Sequence, residues 1–412
     1  MDYDQIVALG ERAAEARENR SYIQVEAKSD AETKVYSKRE LHTILKMMHV
    51  RIGEKNLTAK IEEIAAEKDR EFERVGKNNQ YKFTFDDVLF IAAEMGVPRY
   101  SDHGRKAFKL ILENLKGGVG KSLSTIMFVD GITLLDRYMM LRHRVLIVDL
   151  DPQATTTQHY LPGYDIKEGD ITSLTAMAMP DITREMLINS GLGIKKTSNP
   201  QVDILPCGTA DGFLADDIDD PEICDGSKYF NLLQERITDL VEYDYDIILF
   251  DAGPHMDKVM KNCIAATDAI MVPVPPTFFN FDSSVRFIER LPEVIEELIE
   301  EGYNPAKLSF IGAYISKDLK TVNRRNKHDS DIYEGAMNEL NDVFGHQYVL
   351  KRTLPAETAY ERCAEDSGTV FSINKKTYDG DVKPFNRAYT AAEEWVKELY
   401  EMVVAYHKRR DQ

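Results

Sequence analysis

One run, Lys116-Gly117-Gly118-Val119-Gly120-Lys121-Ser122, limits what this chain can fold into more than any other. A strand-like segment, Ala107 to Leu112, leads into it, and apolar residues at helical spacing follow from Leu123 to Leu135. Strand, glycine loop and helix form the context of a phosphate loop. The glycines let backbone N–H groups close around phosphate oxygens with no Cβ in the way. The following helix turns its unpaired N–H groups and positive dipole end to the same anion. Lys121 adds a point charge, and the Ser122 hydroxyl can ligate Mg²⁺. A glycine turn with a chance lysine is the plainer alternative, and the flanking pattern argues against it.

Two apolar runs downstream end in carboxylates. Val145-Leu146-Ile147-Val148 leads into Asp149-Leu150-Asp151-Pro152-Gln153, and Ile247-Ile248-Leu249-Phe250 leads into Asp251. In an open parallel sheet, ligands bind at the carboxyl ends of strands, so the three strand ends converge on one pocket. Carboxylates there can hold Mg²⁺ or orient an attacking water. Helix capping by each Asp is the alternative. Further strand-like runs at Asp203–Pro206, at Ala269–Pro276, where the strand runs into a proline-locked loop, and at Leu308–Ile315 alternate with helical segments. The expected fold class is α/β, a doubly wound, mostly parallel sheet forming a P-loop nucleotide-binding core.

With 412 residues the chain has room for more than one domain. The net charge is −18. Residues 1–105 hold 18 Lys and Arg against 20 Asp and Glu, so nearly all of the acidity lies in residues 106–412. Such a chain has no uniformly basic coat for nucleic acid, although local basic patches are compatible with it. Cys207, Cys224, Cys263 and Cys363 show no metal-binding spacing and read as free thiols. No apolar run of 18 residues is present, so nothing points to a membrane span.

Residues 1–30 read as an exposed amphipathic helix over 1–20, with Ile6, Leu9, Ala13 and Ala16 in its stripe, followed by a linker over 26–33. The stripe either pairs with a partner chain or folds back on its own domain. Residues 31–105 hold a compact second unit. Ser37 and Glu40 form a capping-box pattern ahead of one helix. Asn56 precedes a second helix over 57–65. Strand-like pieces over 70–75 and 80–85 flank the turn Gly76-Lys77-Asn78-Asn79, and a last helix runs over 86–95. Helix, helix, hairpin resembles a winged helix-turn-helix, in which Thr58 and Lys60 face the DNA and Arg74 and Lys77 belong to the wing. A small α+β packing domain is the alternative. The phosphate-loop part, 106–412, carries a loop-like basic segment with Lys317, Lys320, Arg324, Arg325 and Lys327, and a second basic group of Lys351, Arg352 and Arg362. Both are candidate contacts for a phosphate backbone. The acidic stretch from Asp211 to Asp225 reads as a solvated loop, and 385–407 as a helix packing Trp395, Leu399 and Val403.

Lys116 at the start of the loop, together with Asp149-Leu150-Asp151-Pro152-Gln153, resembles the deviant Walker ATPases, the family of ParA, MinD, the nitrogenase iron protein and ArsA. Asn114-Leu115-Lys116, Phe250-Asp251-Ala252-Gly253-Pro254-His255, Pro273-Val274-Pro275-Pro276, Tyr360-Glu361-Arg362-Cys363 and Gly96-Val97-Pro98-Arg99-Tyr100 narrow the resemblance to the large, type Ia, plasmid ParA proteins. The resemblance implies a catalytic set of Lys116, Lys121 and Asp151. Lys116 reaches across an ATP-sandwich homodimer, and Asp151 positions water. It implies a nucleotide site of Lys116, Gly117, Gly118, Val119, Gly120, Lys121, Ser122, Leu123, Asp251, Pro275 and Pro276. Mg²⁺ falls to Ser122 and Asp251, with Asp149 in its outer shell. ATP and ADP are the implied nucleotides. The implied partners are non-specific chromosomal DNA, operator DNA and a ParB-type centromere-binding protein. The expected location is cytoplasmic and nucleoid-associated, without stable membrane association. One departure is Ala252, where many relatives carry Thr. The alternatives are a nucleotide-gated repressor with slow ATPase and a MinD-like membrane-localising ATPase.

Overall fold

The computed structural model describes residues 3–30, 34–101, 104–323, 325–376 and 378–410. Among the described residues there are ten strands: β1 Arg74–Val75, β2 Gln80–Tyr81, β3 Phe108–Leu112, β4 Val145–Leu150, β5 Lys195–Lys196, β6 Val202–Leu205, β7 Ile247–Ala252, β8 Ala269–Val274, β9 Phe310–Asp318 and β10 Leu354–Pro355. The helices that frame them are α1 Tyr3–Asp30, α2 Lys38–Met47, α3 Glu54–Glu67, α4 Phe85–Glu94, α5 Lys121–Leu134, α6 Asp136–Met139, α7 Thr155–Tyr160, α8 Lys258–Ala266, α9 Phe278–Glu300, α10 Lys327–Phe344, α11 Thr358–Glu365 and α12 Val382–Arg410.

The main sheet has the order β10-β9-β8-β3-β7-β4-β6-β5. Every neighbouring pair is parallel except β5 with β6. Strands β3, β4, β6, β7 and β8 are buried along their whole length, which is why they read as mostly apolar runs, with Lys109 and Asp203 the interruptions in β3 and β6. Alternation divides them between two cores. Ile111, Leu146, Val148 and Phe250 face one, and Phe108, Leu110, Ile147 and Leu249 the other. The second core also takes α5 and the long terminal helix α12. Trp395 of α12 is fully buried, 6.3 Å edge-on to Phe128 and 5.0 Å from Tyr314. Gly131 of α5 allows this approach, since a Cβ there would stand 2.6 Å from Val396.

The N-terminal unit has its own core of Leu41, Ile44, Leu45, Leu57, Ile61, Phe83 and Val88, completed by Met139 and Met140 at the end of α6. The capping box at Ser37 and Glu40 is present, and Thr84 with Asp87 forms a second one ahead of α4. The hairpin is shorter than its sequence pattern, with two residues in each strand, because Phe83 pairs with Tyr36 instead and Phe85 opens α4.

Several expectations are corrected. Asn56 lies inside α3, whose N-cap is Gly53, because Glu54 and Lys55 extend the helical turn upstream. Helix α1 continues to Asp30, so there is no linker over 26–30, and residues 31–33 lie outside the described set. The acidic stretch is not one loop. Gly212–Asp217 and Pro221–Cys224 are short helices, and buried Asp211 accepts from the Thr172 hydroxyl and the Gly208 N–H. All four cysteines are free and buried.

Candidate nucleotide site

The loop leaves β3 at the middle of the sheet and enters α5 at Lys121. Gly118 and Gly120 have φ of 76° and 98°, a region that costs any other residue. Gly120 is the N-cap of α5 and offers no side chain, so the first-turn N–H groups have no side-chain cap from it. A Cβ at Gly117 or Gly118 would meet nothing within 4 Å, so this face of the loop is open. Asn114 pins the start of the loop. Its amide donates to the Pro273 carbonyl at 2.9 Å and the Ser284 hydroxyl at 2.6 Å, and its oxygen accepts from the Lys116 N–H at 3.1 Å. Ser316 of β9 donates to the Val119 carbonyl at 2.9 Å.

The carboxylates converge as their strand positions require, with Asp149 and Asp251 paired in register across β4 and β7. Asp251 accepts from the Ser122 hydroxyl at 3.1 Å and from the Thr156 hydroxyl. Both oxygens of Asp149 are engaged, one by the Asp151 N–H at 3.2 Å, the other by the N–H and hydroxyl of Thr157 at 2.8 and 2.7 Å. Burial raises the pKa of both Asp149 and Asp251 above the usual carboxylate range, and for Asp149 the neighbouring Asp251 charge adds to it. Asp151 is half-buried and accepts only from the Gln153 N–H at 2.9 Å, so it is the carboxylate with room to meet a water. Lys121 is 2.7 Å from the buried Glu113 carboxylate.

This donor set fits a magnesium nucleotide. Mg²⁺ commonly takes one or two protein oxygens plus phosphate and water, and the Ser122–Asp251 pair supplies that number. Asp149, held by β4 and α7, acts as an anchor for the start of α7 and could reach the metal only through its outer shell.

Residues 108–305 match the family described as AAA domain. Plasmid partition protein A of Escherichia coli is 30% identical over 334 residues, which span 80% of this chain and 79% of that protein. The chain belongs to the ParA family of plasmid partition ATPases. Protein SopA of Escherichia coli strain K12 is 25% identical over 198 residues, 46% of this chain and 47% of its own. A solved partition protein shares the fold, with a TM-score of 0.71 at 24% identity over 98% of each chain.

Within this ParA-family chain the other expected nucleotide residues surround the loop unevenly. Val119, Pro275 and Pro276 are buried, whereas Lys116 and Leu123 are half-buried. Sequence reasoning passed over Glu113, Thr156 and Thr157, and read Lys317 as part of the basic segment rather than as a neighbour of the loop. The signal for Glu113 was a charged residue closing an apolar strand. Lys317, at the end of β9, has φ 54° and brings its Cε to 4.0 Å from the Cβ position of Gly120. Ala154, beside the Asp151 turn, also has a positive φ, 54°. Such strain gathers at functional sites.

The expected DNA contacts are scattered and mostly paired. Thr58 is half-buried and accepts from Lys38 at 3.1 Å. Lys60 pairs with Glu63 at 2.6 Å, and Arg74 with Glu62 at 3.2 Å. Lys77 is exposed in the hairpin turn. Arg324 lies outside the described residues. The segment read as one basic loop is divided, since β9 runs through Asp318 and Lys327 opens α10. Lys320, Lys351, Arg352 and Arg387 line a cleft of about 630 Å³, which shares Thr321 and Arg387 with an adjoining cleft holding Arg325. Arg352 and Arg387 are committed to Glu394 and Glu357. Arg362 lies on α11, where its guanidinium donates to the Asp379 carbonyl at 2.8 Å.

Proposed function

We propose that this ParA-family ATPase binds Mg²⁺·ATP at the β3–α5 loop, dimerises around it, and in that state coats DNA without sequence preference. A ParB-type partner stimulates hydrolysis and releases it, which moves the replicon. One observation carries the nucleotide assignment: the glycine loop, Lys121, Ser122, Asp151 and Asp251 meet at the carboxyl ends of three adjacent strands. Lys121 neutralises phosphate charge, Ser122 and Asp251 hold the metal side, Asp151 orients the attacking water, and Lys116 serves the partner copy's phosphates. Bound Mg²⁺ supplies charge neutralisation at the phosphoryl oxygens. The exposed Ile6, Val7 and Leu9 of α1 suit a helix that pairs with a second copy. The units α2, α3, hairpin and α4 serve as a winged helix-turn-helix on operator DNA, through Thr58, Lys60, Arg74 and Lys77. The basic clefts, with Lys327 and Arg362, serve non-specific DNA, so the working location is the nucleoid.

A membrane-localising role is the weaker reading. The terminal helix buries Trp395, Leu399 and Val403 against the core, and among the described residues no helix is long and apolar enough to cross a membrane. The deciding experiment measures binding to random duplex DNA with ATP, with ADP and with neither, at two salt concentrations. Binding with ATP alone, falling steeply with salt, supports the proposal. Operator binding without any non-specific binding would favour a nucleotide-gated repressor.

A further inference from the structure

The strand that carries the loop closes on a buried carboxylate that the proposed reaction does not use. Glu113 is 1% exposed and its partner Lys121 is 8% exposed. Glu113 Oε1 accepts from Lys121 Nζ at 2.7 Å and from the Asn114 N–H at 2.8 Å. Its Oε2 has no hydrogen-bond partner among the described residues. The second contact of Lys121 is the Asn114 carbonyl at 3.0 Å, so the start of the loop holds the lysine that should meet phosphate.

We propose that, at any pH high enough to ionise it, Glu113 is an internal counter-ion that competes with nucleotide phosphate for Lys121 and takes up a proton when the phosphate wins. The proposal rests on Lys121 being the phosphate-binding lysine. Among the described residues, Lys121 from α5, Asp251 from β7 and Cys263 from α8 are the charged or titratable groups that act on Glu113. Lys121 is the cation among them. If the ammonium turns to phosphate, Glu113 is left buried with an orphan oxygen, the Asp251 charge nearby and a polyanion arriving. A proton is the available remedy.

Burial already raises Glu113 to about 8 even with Lys121 beside it. Phosphate charge raises it further in the bound state. Proton uptake on binding is therefore confined to pH above that value. Below it the carboxyl is protonated in both states and affinity is flat; above it affinity falls as pH rises, by up to about tenfold per unit for one proton.

The test is a titration of the full chain with a fluorescent ADP analogue and Mg²⁺, from about pH 7 to about pH 9.5 at fixed ionic strength. Wild type is expected to lose affinity above pH ~8, whereas Glu113→Gln, which cannot titrate, stays flat and binds more tightly than wild type at pH ~9. Parallel pH profiles would overturn the proposal. Calorimetry at pH ~8.5 in two buffers of different ionisation enthalpy should show about one proton taken up by wild type. Zero uptake overturns the proposal even if the variant fails to fold. Lys121→Ala separates the two readings. Wild-type nucleotide affinity in that variant defeats the nucleotide site itself. Lost affinity with a flat wild-type pH profile defeats only the role of Glu113.

Discussion

The phosphate loop and the helix–helix–hairpin unit both carry cations read as phosphate contacts, but they hold them differently. In the loop, Lys121 is buried and paired with one buried carboxylate. In the N-terminal unit, Lys60 and Arg74 sit at the surface, paired with Glu63 and Glu62 of the same helix α3. A buried pair is expensive to disturb, and its partner must be compensated when it opens. A surface pair is exchanged for another anion at little cost. The loop is therefore suited to a single ligand with large consequences, and the surface cations to many weak and interchangeable contacts.

The largest expected effect tests the first half of that contrast. Lys121→Ala should weaken ATP binding at least about 100-fold, roughly 2.7 kcal/mol, in equilibrium titration. Affinity equal to wild type would contradict the assignment. Asp151→Ala should bind ATP normally and lose turnover by about 10² or more, the range for a positioned base, in a phosphate-release assay. Undiminished turnover would remove Asp151 from the site. Arg362→Ala should weaken random-duplex binding a few-fold and lower the salt slope by about one, leaving ATP affinity intact. An unchanged slope would take it off the DNA surface. The smallest effect is expected at Lys60→Ala, where thermal unfolding should not move measurably and only operator affinity should fall. A clear loss of stability there would show that this surface pair is structural and erase the contrast.

Most of the ATPase core was legible because its strands are buried on both faces and each ends in a recognisable loop. Lys121, Asp151 and Asp251 announced themselves by position. The threonines at 156 and 157 did not, since a hydroxyl becomes a ligand only once β4 and β7 place Asp149 beside Asp251. The N-terminal unit was legible at its caps, where Ser37 and Glu40 act within one turn, and misread at Asn56, where a capping residue type lies inside a helix. The basic segment looked like one patch because charge is counted along the sequence. The fold assigns Lys317 to the phosphate loop, Lys320 to a cleft, and Lys327 to the N-terminus of a helix, where a cation opposes the dipole.

The strand order has a consequence for how the protein is made. Strands β3 and β4 do not touch; β7 lies between them, pairing with both. A ribosome synthesises both long before residue 247, so the nascent chain carries two apolar strands around an empty slot. Unpaired edges of this kind attract other chains during synthesis. The chain thus depends on late arrival of one strand, and the same strand delivers Asp251. The joining of β3 to β4 and the arrival of Asp251 beside Asp149 become a single event.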